Sequence, residues 1–536
     1  MVQFEKVTFH SRRSNVIARQ GMVATSQPLA AQSGLEILKR GGNAVDAAIA
    51  TAATLCVTEP GSTGVGGDAF ALIWKADERR LYGLNASGPA PVRMKAEMVR
   101  GLGYEEMPEL GGLPVTVPGS LRGWQLALER FGSMDVDSLL GRAIQYASQG
   151  FPVSQRIARA WARGTDKLSL NPDSRRVWLP QGQAPNAAEI FRNRELAETL
   201  RTVAEQGFDA FYKGDIARQI VDCVQAAGGC LQVEDMATYE AEWVEPIRLD
   251  YGNGITFYEI PPNGQGLTAL LALNIVQGFD LEALGYGTAD YYHVLIEAMK
   301  LAFADASVFI ADPRQAKIPV AALLSERYAA NRRSLIDGEM ASVASAGRPQ
   351  QHGDTVYLTV ADGDGNMVSW IQSLYMGFGS GLTAGTTGVL LQNRGANFSL
   401  QSGHPNEVAP GKRPYHTIIP GFITRDNRAW CSYGVMGGFM QPQGHLQVGI
   451  NLVDFGMDPQ TALDAPRFNW LKEKEVALEA AIDDLIGIEL ARRGHLLSAR
   501  NAAVQYGGGQ IIIRDWESGV LIGGSEPRKD GMAVGW

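Results

Sequence analysis

The sequence predicts an α+β protein, and three observations carry that prediction. Short β-prone runs alternate near residues 71–74 and 81–85. Helical periodicity dominates residues 134–240 and returns at Ala289–Phe309. Two β-prone runs, Gly353–Ala361 and Met367–Tyr375, flank the turn Asp362-Gly363-Asp364-Gly365-Asn366 and read as an antiparallel hairpin. Mixed helices and alternating strands agree with an α+β class without choosing an architecture within it.

At 536 residues the chain can bury a large core, as two or more lobes or as one multilayer unit. A net charge of −9, a pI near 5.5 and no Lys/Arg-rich run argue against nucleic acid or an anionic membrane as partner. No stretch approaches the ~18 uninterrupted apolar residues of a membrane-spanning helix. Residues 1–13 lack an apolar segment followed by a small-residue cleavage site, and the stretch Ser14–Arg19 after Arg12-Arg13 is too short and polar for an export signal, so the expected address is the cytoplasm. Cys56, Cys223, Cys230 and Cys431 show no C-x-x-C spacing and read as reduced core thiols. With no H-E-x-x-H among seven histidines, the expectation is no metal and no cofactor.

In chain order, Gly21–Ala24 reads as a strand and Pro28–Arg40 as a helix. Gly41-Gly42-Asn43 punctuates before a second apolar helix, Ala44–Val57. The cluster Gly61–Asp68 lacks Gly-Lys-Ser/Thr and comes after a helix, so tight turns are favoured over a phosphate cradle. A turn at Gly111–Gly119 precedes a helix carrying Trp124 and Leu126, and residues 134–240 read as scaffold. A strand is expected at 255–259, with helices after Pro261–Gly266 and over Ala289–Phe309. From about 328 to 354 the composition becomes small and polar, which predicts an exposed loop suited to cleavage.

If the five turn residues close the hairpin without a bulge, Ala361 faces Met367 and Thr355 faces Ser373. Facing residues have Cβ atoms about 5 Å apart, so register alone brings two hydroxyls together. Most strand threonines do nothing chemical. A further pattern changes that reading. Thr355, Thr359, Asp362, Gly365 and Asn366 fill a Thr-x-x-x-[Ser/Thr]-x-x-Asp-x-x-Gly-Asn motif. It resembles the small-subunit start of the γ-glutamyltranspeptidase family, in which a precursor cuts itself before that threonine. Gly21–Ala24, Gly41–Ala48, Glu59-Pro60 and Gly64–Gly67 resemble the family's large-subunit start. The resemblance continues through Glu297–Asp305, Gly377–Gly381, Gly388–Asn393, Lys412-Arg413-Pro414, Gly437-Gly438 and Asp464–Phe468, nearly the whole chain.

The resemblance implies an N-terminal-nucleophile hydrolase, a four-layer αββα sandwich cut between Asp354 and Thr355 into a 354-residue large and a 182-residue small fragment. Whether such heterodimers pair further stays open. A threonine hydroxyl needs a base within reach, and the α-amine freed by the cut, with a reference pKa of about 8, supplies one on the same residue. Ser373 would orient Thr355, and Gly437-Gly438 would offer backbone N–H groups to an oxyanion.

The substrate positions depart from the family pattern. Ser87 stands where an arginine holds the donor carboxylate, and Asn397 where an aspartate holds the donor ammonium. His416 and Thr417 replace paired serines, Tyr375 an asparagine and Arg394 a glutamine. A pocket without the anion and with cationic Arg394 and His416 favours a carboxylate. The expected activity is hydrolysis of a small carboxylate-bearing amide, oxamate-like, through an acyl-enzyme. γ-Glutamyl hydrolysis or transfer and a dicarboxylic-acyl acylase are the alternatives, and an unprocessed binding scaffold is the non-enzymatic one. No G-x-S-x-G supports an unrelated serine hydrolase.

Overall fold

Alternation along the Gly353–Asp362 strand decides how the molecule is layered. Val356, Leu358 and Val360 enter a core shared with helices, whereas Tyr357 and Ala361 enter a core shared with a second sheet. A strand apolar on both faces has to be covered on both. The computed structural model describes residues 13–344, 353–498 and 506–536.

Two seven-stranded sheets provide the inner layers. The first runs Met532–Gly535, Gly21–Thr25, Gly353–Asp362, Met367–Met376, Asp68–Lys75, Arg80–Ala86, Glu242–Val244, antiparallel at every step. The second runs Val16–Ala18, Leu521–Ser525, Gly508–Arg514, Arg428–Met436, Gly421–Arg425, Ile255–Glu259, Ile247–Gly252, also antiparallel throughout. Phe70, Leu72 and Ile371 of the first sheet meet Phe422, Met436 and Ile512 of the second. Helices Pro28–Lys39, Ala44–Thr58 and Ser120–Phe131 cover the outer face of the first sheet, and Gly266–Val276, Met440–Val453 and Pro459–Asp464 that of the second; Val136–Gln149 packs on Ala44–Thr58, and Ala289–Phe309 on Gly266–Val276. The architecture is the expected αββα sandwich. Strands from both sides of the Asp354–Thr355 bond interleave in each sheet, so neither part could keep its core alone.

Local chemistry explains the motifs that frame the hairpin. Asp362 accepts from the Asn366 backbone N–H (2.9 Å) and side-chain amide (2.8 Å), which closes the turn. The same carboxylate accepts from the Ala44 N–H at 3.0 Å, docking the turn on the N-terminus of the Ala44–Thr58 helix, where a negative charge is favourable. That helix is buried along its whole length, with Asn43 and Asp46 forming a capping box. Its Thr51, Thr54 and Thr58 return their hydroxyls to carbonyls four residues back, which lets polar side chains lie in an apolar layer.

Two expectations need correction. Opposed pairs keep the predicted register from Ala361↔Met367 to Val356↔Gln372, but Asp354 pairs with Tyr375, so Ser373 and Leu374 together oppose Thr355 in a one-residue bulge of the Met367–Met376 strand. The helix Glu326–Arg333 occupies the start of the segment expected to lack structure; its one buried residue, Ala329, leaves no apolar period to read. Residues 334–344 are irregular and mostly exposed, as expected, with Ala341 buried; the remainder of that expectation, and the reading of the first twelve residues, fall on 345–352 and 1–12, outside the described residues. Among the described residues, no helix is long and apolar enough to cross a membrane.

Candidate active site

The bulge concentrates polar groups on the Asp354–Thr355 peptide. Thr355 is buried and faces the second sheet, and its hydroxyl lies 3.3 Å from Ser373 Oγ. Ser373 Oγ donates to the carbonyl oxygen of Asp354 at 2.8 Å. It accepts from the Tyr375 N–H at 2.7 Å and from Arg394 Nη2 at 3.1 Å. With the Thr355 hydroxyl as a third, more distant donor, the acceptor side of Ser373 is taken by donors, one of them cationic, which directs its own proton onto the carbonyl that precedes Thr355. Tyr375 adopts φ +79°, the turn that aims its N–H back at Ser373.

Arg394 opens a short 3₁₀ turn, Arg394–Asn397, and is fully buried. Nη1 donates to Thr417 Oγ at 2.6 Å, and the guanidinium lies 4.4 Å over the Tyr375 ring. Burial lowers its pKa to about 10, opposed by the attraction of Asp68 and Tyr375, so it stays charged at neutral pH. Its two terminal nitrogens are directed at Thr417 and Ser373, while Nε is buried without a partner among the described residues. Asn397 reaches the Tyr375 phenol, whose pKa burial raises.

His416 is where the expectation of a second cation fails. It is fully buried, its Nε2 lies 3.0 Å from Asp68 Oδ2, and burial together with Arg394 and Arg413 pushes its pKa well below the usual value. A neutral imidazole against Asp68 offers no charge to a substrate. Asp68 sits directly across from Ser373 in the register of the neighbouring strand. Its Oδ1 accepts from the Gly88 N–H (3.0 Å) and Gln392 Nε2 (2.9 Å), and burial raises its pKa to about 7 against the pull of Arg394. Thr355, Ser373 and Asp68 thus come from three adjacent strands. Gly67 permits the approach, since a Cβ there would stand 2.3 Å from the Ser373 carbonyl oxygen. Ser87 lies one step further out, accepting from Asn263 Nδ2 at 3.0 Å, while the Asn263 carbonyl receives the His416 N–H.

Gly437 and Gly438 link the Arg428–Met436 strand to the Met440–Val453 helix with φ of +130° and +60°, conformations open to glycine. Gln265 Nε2 holds the Gly438 carbonyl at 2.9 Å. From the first turn of the helix, Gln441 Nε2 reaches Thr355 Oγ at 3.4 Å, while its Oε1 takes the Ile419 N–H. The glycine pair and Thr355 therefore share a neighbourhood through Gln441.

Sequence reasoning missed Asp68, Gln392, Gln441 and Lys167. Asp68 ended the glycine cluster and Gln441 stands three residues beyond the glycine pair, so proximity to a recognised motif was the available signal. Lys167 lies within the region read as scaffold, yet its ammonium donates to the carbonyls of Gly377 (2.8 Å) and Gly379 (3.1 Å) beside the hairpin.

Among the described residues, one cluster has metal-ligand character, His293, Glu297 and His495. Lys300 Nζ already lies 2.6 Å from Glu297 Oε1, and burial with the charge of Lys300 lowers His495 to about 3. The carboxylate already holds a cation and the two rings already bond each other at 2.8 Å, so these ligand atoms are engaged without a metal ion. The four cysteines are free thiols, two of them buried.

Comparison with known proteins agrees with this geometry. The chain is 38% identical over 526 residues to the "Glutathione hydrolase-like YwrD proenzyme" of Bacillus subtilis, covering 97% of this chain and 99% of that one. It is 33% identical to the "Oxamate amidohydrolase proenzyme" of Klebsiella pneumoniae, covering 98% and 100%. The crystal structure of a cephalosporin acylase from Bacillus halodurans superimposes with a TM-score of 0.93 at 48% identity, covering 100% of this chain and 99% of that one. The sequence model described as gamma-glutamyltranspeptidase matches residues 30–536, and the chain belongs to the gamma-glutamyltranspeptidase family.

Proposed function

We propose that this chain is a self-processing amidohydrolase whose nucleophile is Thr355. The observation that carries the reading is the Ser373 hydroxyl donating to the Asp354 carbonyl while the Thr355 hydroxyl stands beside it. In the first reaction Thr355 Oγ adds to the Asp354 carbonyl carbon. Negative charge grows on the oxygen that Ser373 already holds, and Arg394 and the Tyr375 N–H keep that donor aimed. The C–N bond breaks, the nitrogen receives the proton the hydroxyl gave up, and an ester replaces the amide. Water then cleaves the ester, leaving Asp354 as a new carboxyl terminus and Thr355 with a free amine.

The second reaction repeats the first on a substrate amide. The amine accepts the hydroxyl proton, Oγ acylates, the leaving amine takes that proton, and water releases the acid. Gly437 and Gly438 supply backbone N–H groups to this oxyanion. The substrate is the amide of a small acyl group bearing a carboxylate, with oxamate its shortest example. Asn397, where an anion would be needed to hold a donor ammonium, supports this over a γ-glutamyl donor. The likeness to the cephalosporin acylase favours a second reading within the same chemistry, a longer dicarboxylic acyl group.

The test compares purified protein on oxamate, read as ammonia, with a γ-glutamyl 4-nitroanilide, read as nitroaniline. Faster turnover of oxamate is expected; the reverse order rejects the carboxylate-without-amine ranking.

A further inference from the structure

In the self-cleavage proposed above, Asp354 is itself the acyl group, and its side chain carries a carboxylate two carbons from the carbonyl that Thr355 attacks. Whatever surrounds that carboxylate before the cut faces the acyl end of a substrate afterwards. Asp354 Oδ2 lies against Gly377, 3.0 Å from where a Cβ there would stand. On the same residue, the Gly377 carbonyl receives Lys167 Nζ at 2.8 Å, and the Gly379 carbonyl receives it at 3.1 Å. Gly377 is thus held between an anion and a cation.

The cation is built in. The Lys167 stem runs along the turn after the hairpin, where Gly381, at φ +78°, would bring a Cβ within 3.0 Å of Lys167 Cγ. Two of three ammonium donors go to carbonyls, and among the described residues no acceptor takes the third. Burial lowers the lysine's pKa, and the charges that oppose this are Glu109 and Asp354. Glu59 also feels Asp354, but burial holds its carboxyl near 7, so it is a weak competitor. Hydrolysis of the ester removes Asp354 from covalent attachment to Thr355, and Lys167 then loses its tethered partner.

We infer that Lys167 is the receptor for the carboxylate on the acyl part of the substrate, a place the Asp354 side chain fills before the chain is cut. The inference rests on the amidohydrolase reading and sharpens it. Asp354 acts as a ruler, since two carbons separate its carboxylate from the acyl carbon. The fitting substrate is a monoamide of a dicarboxylic acid of succinyl length, preferred over oxamate, whose carboxylate adjoins the acyl carbon. Arg394, with its fork on Ser373 and Thr417, becomes a positioning residue.

The experiment uses processed wild-type protein, Lys167→Met and Lys167→Arg on two anilides of equal length, N-succinyl and N-butyryl 4-nitroanilide. Wild type should favour the succinyl amide at least tenfold in kcat/KM. Lys167→Met should lose at least tenfold on the succinyl amide, chiefly in KM, and less than threefold on the butyryl amide, with Lys167→Arg recovering part of the preference. Equal losses on both amides, or none, overturn the assignment. A wild type with Thr355 at its chain end that cleaves neither anilide but does cleave oxamate overturns the assignment alone, and one that cleaves none of the three refutes the amidohydrolase reading itself. Should Lys167→Met fail to process, its first-order self-cleavage is compared with that of Asp354→Asn and the double variant. The assignment expects the double variant to be no slower than Asp354→Asn, and multiplying defects contradict it.

Discussion

Two buried polar clusters lie in different layers of this molecule, and they differ in what they hold. The first, between the sheets, joins Asp68, Ser373, Arg394, His416 and Thr417 around the Asp354–Thr355 bond. The second joins Glu297, Lys300 and His293 of the helix Ala289–Phe309 to His495, beyond the helix Asp484–Arg492. Both bury charges, and each holds a histidine whose pKa is depressed. In the second, Glu297 and Lys300 close on each other at 2.6 Å and on Ser342, whose N–H donates to Glu297 Oε2 at 3.1 Å and whose carbonyl takes Lys300 at 3.2 Å. That cluster staples a chain segment. In the first, the donors converge on a carbonyl carbon with a hydroxyl beside it. Burial of charge marks neither as a site; convergence on a reactive bond does.

This contrast can be broken by substitution. The largest effect on stability is expected at Lys300→Met, which strands the Glu297 carboxylate in the core and should cost about 3–5 kcal/mol. Thermal melting checks it, and kcat per folded, processed molecule should not change; a tenfold fall in kcat would move the second cluster into the catalytic machinery. Ser373→Ala comes next. Losing the donor on the Asp354 carbonyl should slow self-cleavage about 10²–10³-fold, measured by denaturing gel over time, with a melting temperature closer to wild type than that of Lys300→Met. Gln441→Ala removes a long contact to Thr355 and should cost about 1 kcal/mol, a several-fold loss of kcat/KM.

The smallest expected effect sharpens the comparison through pH. Asp68 is held near 7 in the folded chain, above its ordinary 3.8. Between those values the folded chain keeps a proton that the unfolded chain has released, so this group's contribution to stability falls as pH rises from about 4 to 7. Urea denaturation across that window should show Asp68→Asn with a shallower decline than wild type. Some decline remains in the variant, because Glu59 is raised to about 7 by the same cause. Parallel curves would mean that Asp68 titrates as it does in the unfolded chain.

How much of this was legible in the sequence depends on the distance over which each feature is determined. The hairpin was readable because side chains alternate with period two and the Asp362–Asn366 turn has a defined length, and the Thr355–Ser373 contact came with it. The bulge at Ser373-Leu374, opposite Thr355, was not, because it depends on how Tyr375 turns its N–H to Ser373, a choice made by tertiary contacts. The αββα layering came from motif resemblance, since alternation alone cannot tell one sheet from two. The charge of His416 was misjudged because protonation is set by burial and by the nearby charges of Arg394 and Arg413, which only the tertiary fold decides. Lys167 escaped notice for a similar reason, lying 210 residues from the carbonyl it binds.

The central claim is that Thr355 becomes a chain end and uses its own amine as the base. N-terminal sequencing and intact mass of the active protein test it most directly. The prediction is two fragments of 354 and 182 residues, the smaller beginning with Thr355, and for Thr355→Ala one uncut, inactive chain of 536 residues. Full activity with the Asp354–Thr355 bond intact, or turnover by Thr355→Ala, would contradict the account.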